Sequence, residues 1–296
     1  MNTNHFPLRL RSVLAQSLRG ALQWRLWLLC IAATLMCALV GALPAWNWLA
    51  SVFDHSLQAG AIAAGQAPSL IMESLTASAA PLGLLAQSSL VASVIMVLLA
   101  PLLGGAMVAA ARAQVPLGFG ELLRGGIGEY GPMLRMLLWS AVPLGFALLV
   151  MFAIIGGNEK AHADAILASE LEGGRRIALI VGGVLFVLAH ASLEGGRGWL
   201  AADGRLRSAI KDWWRGLGLL RRRPVAVLSV YLLTTATSLL LALLLLALRQ
   251  RVDGAGLSGS VLALLLACGI AGVLAGGRIA RLFGMKALAE DMHARR

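Results

Sequence analysis

With 296 residues, 59% of them hydrophobic and only 13% charged, the chain is far more apolar than a water-soluble domain, where charged residues make up about a quarter. The net charge of +11 does not point to nucleic acid, because the basic residues flank apolar runs instead of pooling in one soluble domain. Cys30, Cys37 and Cys268 all fall inside apolar runs, which argues against an extracellular disulfide framework and for small packed hydrophobes.

A helix needs roughly 17 to 25 apolar residues to cross a hydrocarbon core of about 30 Å. Six runs meet that length: 26–46, 90–110, 136–155, 177–193, 225–248 and 257–275. Before the first, Leu10, Leu14 and Leu18 recur at helical spacing with Arg9, Arg11 and Arg19 beside them. The first run ends in "GALPAW", whose small residues resemble a cleavage site. Four arginines precede it and five more spans follow, so it is expected to stay as an anchor. Residues 47–89 are nearly uncharged and rich in Ala, Ser and Leu, consistent with one or two short surface helices or a re-entrant piece. Pro101 and Pro143 fall inside spans two and three and should kink them.

After span two, Phe119, Leu122, Leu123 and Ile127 form a second short apolar face. After span four comes "LEGGRGWLAADGRLRSAIKDWWRG", residues 193–216, with eight charges. There Leu206, Ile210, Trp213, Trp214 and Leu217 form one face of a helix, and Arg205, Arg207, Lys211, Asp212 and Arg215 cover the other. Such a helix lies at a membrane surface, with its Trp pair at the interface and its basic face toward anionic head groups. Arg205, Arg207, Lys211, Trp213, Trp214 and Arg215 are therefore the candidate lipid- or partner-binding residues. Arg221 to Arg223 read as a topological stop before Pro224.

Alternate loops carry 20 Lys and Arg against 7 acids on one side and 5 against 7 on the other, which by the positive-inside rule puts both termini in the cytoplasm. The chain is also self-similar. "GGAMVAAARAQ" at Gly104, "GGRGWLAADGR" at Gly195 and "GGRIARLFGMK" at Gly276 each end an even-numbered span. Arg124 of "LLRGG" and Arg215 of "WWRGL" each follow their glycine pair by 20 residues, and "SLRGA" precedes span one. This gives one membrane domain of three units, 1–110, 111–200 and 201–296, each an elbow helix followed by two spans, the last with a C-terminal cytoplasmic helix. Gly20, Gly125 and Gly216 are expected to let the chain leave each elbow, and Pro132 and Pro224 to start the next span.

Ionisable groups within spans are costly and so are candidates for function. His190, Glu194 and Arg197 share one side of a helix, as a proton relay or partial metal site, or as a structural ion pair at the membrane boundary. Thr234, Thr235, Thr237 and Ser238 in span five either line a polar path or bond their own helix carbonyls. No phosphate-binding loop, nucleophile elbow or zinc-protease pattern occurs, and no metal or cofactor is expected.

The segments "FGELLRGGIGEYGPMLRMLLWSAVPLG" and 194–231, with Glu194 to Arg197 and "RRRP", resemble bacterial six-span inner-membrane proteins of unassigned activity. Some of these are similar to the membrane domains found with glycerophosphodiester phosphodiesterases. Here Glu stands where that group more often has Asp, and Gly195 with Gly196 replace a bulkier pair. The resemblance implies a fold and a compartment, the bacterial inner membrane, but no reaction.

The expected architecture is an all-α polytopic bundle of three hairpins with interfacial elbow helices. The leading function is a non-enzymatic scaffold or accessory protein that engages anionic lipid heads, a protein partner or a second copy through its basic elbows. The alternatives are a transporter or lipid translocator, and an intramembrane enzyme using His190 and Glu194.

Overall fold

The computed structural model describes residues 10–63, 66–76, 80–164, 168–204, 208–252 and 256–295. Among them the regular elements are all helices: α1 (Leu10–Ala21), α2 (Trp24–Phe53), α3 (Ala59–Ala63), α4 (Pro68–Thr76), α5 (Leu82–Arg112), α6 (Phe119–Gly128), α7 (Tyr130–Ala161), α8 (Ala168–Ala202), α9 (Ala209–Arg222), α10 (Pro224–Gln250) and α11 (Gly256–His293). Helices α2, α5, α7, α8, α10 and α11 are long and apolar enough to cross a bilayer, so the chain is a multi-pass membrane protein. They pack as hairpins in chain order, α2 on α5, α7 on α8 and α10 on α11. Short helices α3 and α4 lie between α2 and α5, whose ends at Phe53 and Leu82 shorten the loop expected over 47–89.

Each hairpin is introduced by a short helix, and each of these packs against the end of a long one: α6 on α5, α9 on α8, and α1 on α11. The first elbow therefore closes on the last span, giving the three hairpins a shared elbow end. Local chemistry sets the starts. Pro224 opens α10, where a missing amide proton costs nothing, and Pro132 lies in the first turn of α7. At α6 the Glu121 carboxylate accepts a 2.8 Å bond from the Gly118 amide.

At 1.5 Å per residue, the 38 residues of α11 reach about 57 Å, well past a core of roughly 30 Å. The overhang is used at the elbow end. Leu26, Leu103, Met107, Leu200 and Ile279 join one apolar cluster, and Val13, Trp199, Leu219, Val230, Met285 and Leu288 a second. Met136, Leu193 and Ala209 form a third, with Trp139 and Trp213 against it. Elsewhere the helices are bare: only 6% of the most apolar window of α7, and of α11, is buried. Leu43, Leu149, Ile180, Leu240 and Leu265 are all more than half exposed. Lipid tails are as apolar as leucine, so nothing drives these surfaces together within a bilayer.

Close backbone approach holds the elbows. A Cβ on Gly105 would stand 2.7 Å from the Gly126 carbonyl oxygen, and one on Gly126 would stand 2.7 Å from that of Leu102. One on Gly196 would be 3.0 Å from the Asp212 carbonyl oxygen, and one on Gly216 would enter the backbone of Ser192 and Gly196. The third junction is displaced along its span. Gly276 faces Trp27 and Gly277 faces Ser238, while α1 docks further on, with Gly20 against Phe283 and the Ser17 hydroxyl donating to the Ala280 carbonyl.

Two expectations change. Gly20, Gly125 and Gly216 do not release the chain: α1 runs on to Ala21, α6 to Gly128 and α9 to Arg222, and among the described residues only Gly256 has a positive φ, +83°. They are contact glycines, chosen for the absence of a Cβ and not for left-handed backbone. The C-terminal segment is likewise no separate helix but the continuation of α11, which no proline interrupts.

Gly216→Ala should cost about 1 to 3 kcal/mol through overpacking. Gly218→Ala, two residues on and facing open space, should leave stability unchanged or raise it by up to about 1 kcal/mol. Thermal unfolding of the two variants in detergent checks the contrast, and equal melting temperatures would remove the close-contact account.

Candidate functional site

The polar groups of the elbow end gather where α8, α10 and α11 meet. Glu194, on α8, is 4% exposed. One of its oxygens, Oε1, faces two guanidinium groups and an imidazole: Arg197 Nη1 at 2.8 Å, Arg281 Nε at 3.6 Å and His190 Nε2 at 3.8 Å. His190 and Arg197 come from the same helix at the spacing that faces them toward Glu194. Arg281 comes from α11 and is itself buried. It donates from Nη1 to the Thr235 hydroxyl at 2.7 Å and lies 5.3 Å over the Tyr231 ring. The His190 ring stands edge-on to Tyr231 and stacks on Phe186, with Nδ1 buried and without a hydrogen-bond partner among the described residues.

The structure thus joins two groups that the sequence left separate, the 190–197 triad and the hydroxyls of span five. Thr235 is the link. Its neighbours are turned inward on their own helix: Thr234 donates to Val230 O at 2.7 Å, Thr237 to Leu233 O at 2.7 Å, and Ser238 to Thr235 O at 3.0 Å. Thr234 and Ser238 are also buried, with Ser238 against Gly277. Arg281 and Tyr231 were not singled out from sequence, because their partners lie tens of residues away. The one available signal was Arg281 itself, the second arginine after the apolar run of α11 and six residues past its end.

Further ties join the helices. Arg112, at the end of α5, bonds Glu129 at 2.6 Å and the Leu200 carbonyl of α8 at 2.6 Å. Within the third hairpin Arg223, at the start of α10, meets Asp291 of α11 at 2.6 Å, and Arg25 of α2 donates to Leu117 O, ahead of α6, at 2.9 Å.

The candidate surface residues divide. Arg205 and Arg207 lie outside the described residues. Lys211 is exposed and Trp214 is 65% exposed. Trp213 and Arg215 are engaged within the protein. Trp213 donates to the Ser192 hydroxyl at 3.0 Å and meets Trp139 edge-on, while Arg215 lies 3.4 Å from Asp203 and over the Trp199 ring.

Of the apolar faces read on the elbows, Ile210, Trp214, Phe119, Ile127 and Leu18 are exposed. What packs is a stripe of small or short residues: Val13, Ser17 and Gly20 in α1; Leu122 and Gly126 in α6; Ala209, Asp212, Gly216 and Leu219 in α9. Small residues allow backbones to touch, and bulky ones are then free to meet lipid.

Asp212 is the clearest correction. It was placed on the charged face, yet it has no exposed surface, and neither carboxylate oxygen has a hydrogen-bond partner among the described residues. The backbone contact at Gly196 turns it inward. Burial pushes its pKa up to about 6, helped by Asp203 and opposed by Arg215 and Arg112.

Comparison of the chain with protein-family models, with curated proteins and with solved structures finds no match.

Two outcomes follow from these charges. Glu194→Gln leaves Arg281 and Arg197 uncompensated and should lower stability by about 3 kcal/mol, whereas pairing it with Arg281→Met should recover part of the loss. A double-mutant cycle by thermal unfolding reads the coupling, and additive losses would refute it. For Asp212 the folded pKa lies above the ordinary 3.8, so the folded state holds its proton longer and stability falls as pH rises from about 4 to about 6. Asp212→Asn should flatten that fall and melt higher than the parent at pH 7, as thermal scans across the window will show.

Proposed function

We propose that the chain is a non-catalytic scaffold of a bacterial inner membrane, whose elbow layer faces the cytoplasm and gathers anionic lipid head groups. One observation carries this reading. All three elbows turn bulky apolar residues outward, and exposed Arg11, Arg19, Arg124, Lys211, Arg221 and Arg222 lie on the same helices. Amphipathic helices of that kind settle at a leaflet surface, and each basic residue near an anionic leaflet contributes about 1 kcal/mol. The excess of basic residues at the elbow end supports the cytoplasmic orientation.

The recurrence of elbow and hairpin, with α1 seated on α11 much as α6 and α9 sit on α5 and α8, supports three copies of one unit. Likewise the Glu194 to Arg197 bond and the helix start at Pro224 are in keeping with kinship to six-span proteins related to the membrane domains of glycerophosphodiester phosphodiesterases. The scaffold reading is preferred to a transporter because the hydroxyls of α10 are spent on their own carbonyls or on Arg281. It is preferred to an enzyme because Glu194 is held by cationic groups in a packed interior. An acidic protein partner is the other occupant the same surface fits.

The test is the lipid retained on purification. In a Lys211→Glu, Arg221→Glu, Arg222→Glu variant, phosphatidylglycerol retained per protein, read by mass spectrometry of detergent extracts, should fall at least about fivefold with melting temperature unchanged. Unaltered retention would count decisively against a lipid-gathering role.

A further inference from the structure

Between α7 and α8, above α9, lies a crevice of about 420 Å³, within the roughly 300 to 1,000 Å³ range of small-molecule sites. Val142, Pro143 and Phe146 form one wall and Leu185 and Ala189 the other, with Leu217 of α9 below. It has a structural cause. Pro143 interrupts the backbone bonding of α7, Ala147 and Ala189 are too small to fill the gap, and Trp213, bonded to Ser192, lines its inner side near the elbow. The walls belong to membrane-crossing helices, so the medium they face is hydrocarbon.

The rim supplies the second half of the argument. Arg135 lies seven residues before Val142 on the same stripe of α7 and is exposed. Arg221 lies four residues past Leu217 on α9 and is also exposed, beside Trp214. Proceeding around α9, one meets the packed stripe with Asp212 and Gly216, then the crevice at Trp213 and Leu217, then bulky Ile210 and Trp214 with Arg221, and last Lys211 and Arg222. Arg135, whose Nε donates to the Gly131 carbonyl at 3.2 Å, and Arg221 thus lie on the crevice's own helices toward the elbow end, an arrangement that suits a chain in the slot and a negative head beyond it.

We infer that this crevice holds one acyl chain of an anionic phospholipid, with Arg135 and Arg221 at its head group. The inference rests on the lipid-facing reading of the elbows and names a discrete site within it.

The experiment uses the full chain in nanodiscs containing phosphatidylglycerol or phosphatidylethanolamine, each with a photoactivatable diazirine halfway along one chain. Cross-links are mapped by peptide mass spectrometry. With phosphatidylglycerol, labelling of residues 142–147 and 185–190 should exceed that of the more exposed 239–244 segment of α10 at least fivefold. Ala189→Phe, or Ala189→Val should the larger plug unfold the protein, should bring it to the level of α10. Arg135→Gln with Arg221→Gln should lower labelling by phosphatidylglycerol and not that by phosphatidylethanolamine. Even labelling over all bare helices, indifference to the plug, or equal labelling by the two lipids would each overturn the site. The broader reading fails separately, through unchanged bulk retention in the elbow variant, whichever way the crevice labels.

Discussion

The structure depends on helices approaching closely enough for backbone to touch backbone where a long helix ends and a short one crosses it. At α5 with α6 and α8 with α9 this is done by opposed glycines, so that a single added methyl would meet a carbonyl oxygen. A helical glycine costs about 0.5 to 1 kcal/mol relative to alanine. That cost is accepted because, in a bilayer, apolar side chains gain nothing by leaving lipid for one another, and van der Waals contact at short range is what remains. The bulky residues are thereby left outside, and the wide apolar surface of the six spans follows from the same balance.

Charge then orders what the glycines bring near. The chain spends few of its ionisable groups inside, and several of these tie helices together: Glu194 with Arg281 and Arg112 with Glu129 and Leu200 join different hairpins, and Arg223 with Asp291 ties the two helices of the third. In a poorly solvated interior, an unmatched charge is expensive and a matched one specifies which surfaces meet. The convergence of His190, Arg197 and Arg281 on one oxygen of Glu194 makes that carboxylate the joint between α8 and α11. Asp212 stands apart as a carboxylate buried without such a set, on an elbow whose outer side exposes Ile210 and Trp214.

How much of this was legible follows from range. Contacts within a turn or two could be read: the 190–197 triad, the proline starts of α7 and α10, and the short helix before each odd-numbered span. The elbows' apolar faces could be read, but not the stripe that packs on the protein, because periodicity marks bulky apolar residues and passes over a seam of Gly, Ala and Asp. That seam, with Asp212 and Gly216, becomes visible only where two helices cross.

By itself the sequence determined six crossings, the short helices between them and the uneven distribution of charge, since each depends only on run length, composition and spacing along the chain. Tertiary structure alone decided that α1 closes on α11, that Arg281 reaches Glu194 and Thr235, that Asp212 turns inward, and that a crevice opens beside Pro143. Each of these needs the relative placement of helices distant in sequence. That placement is set by where two backbones can touch, which no single helix's pattern encodes.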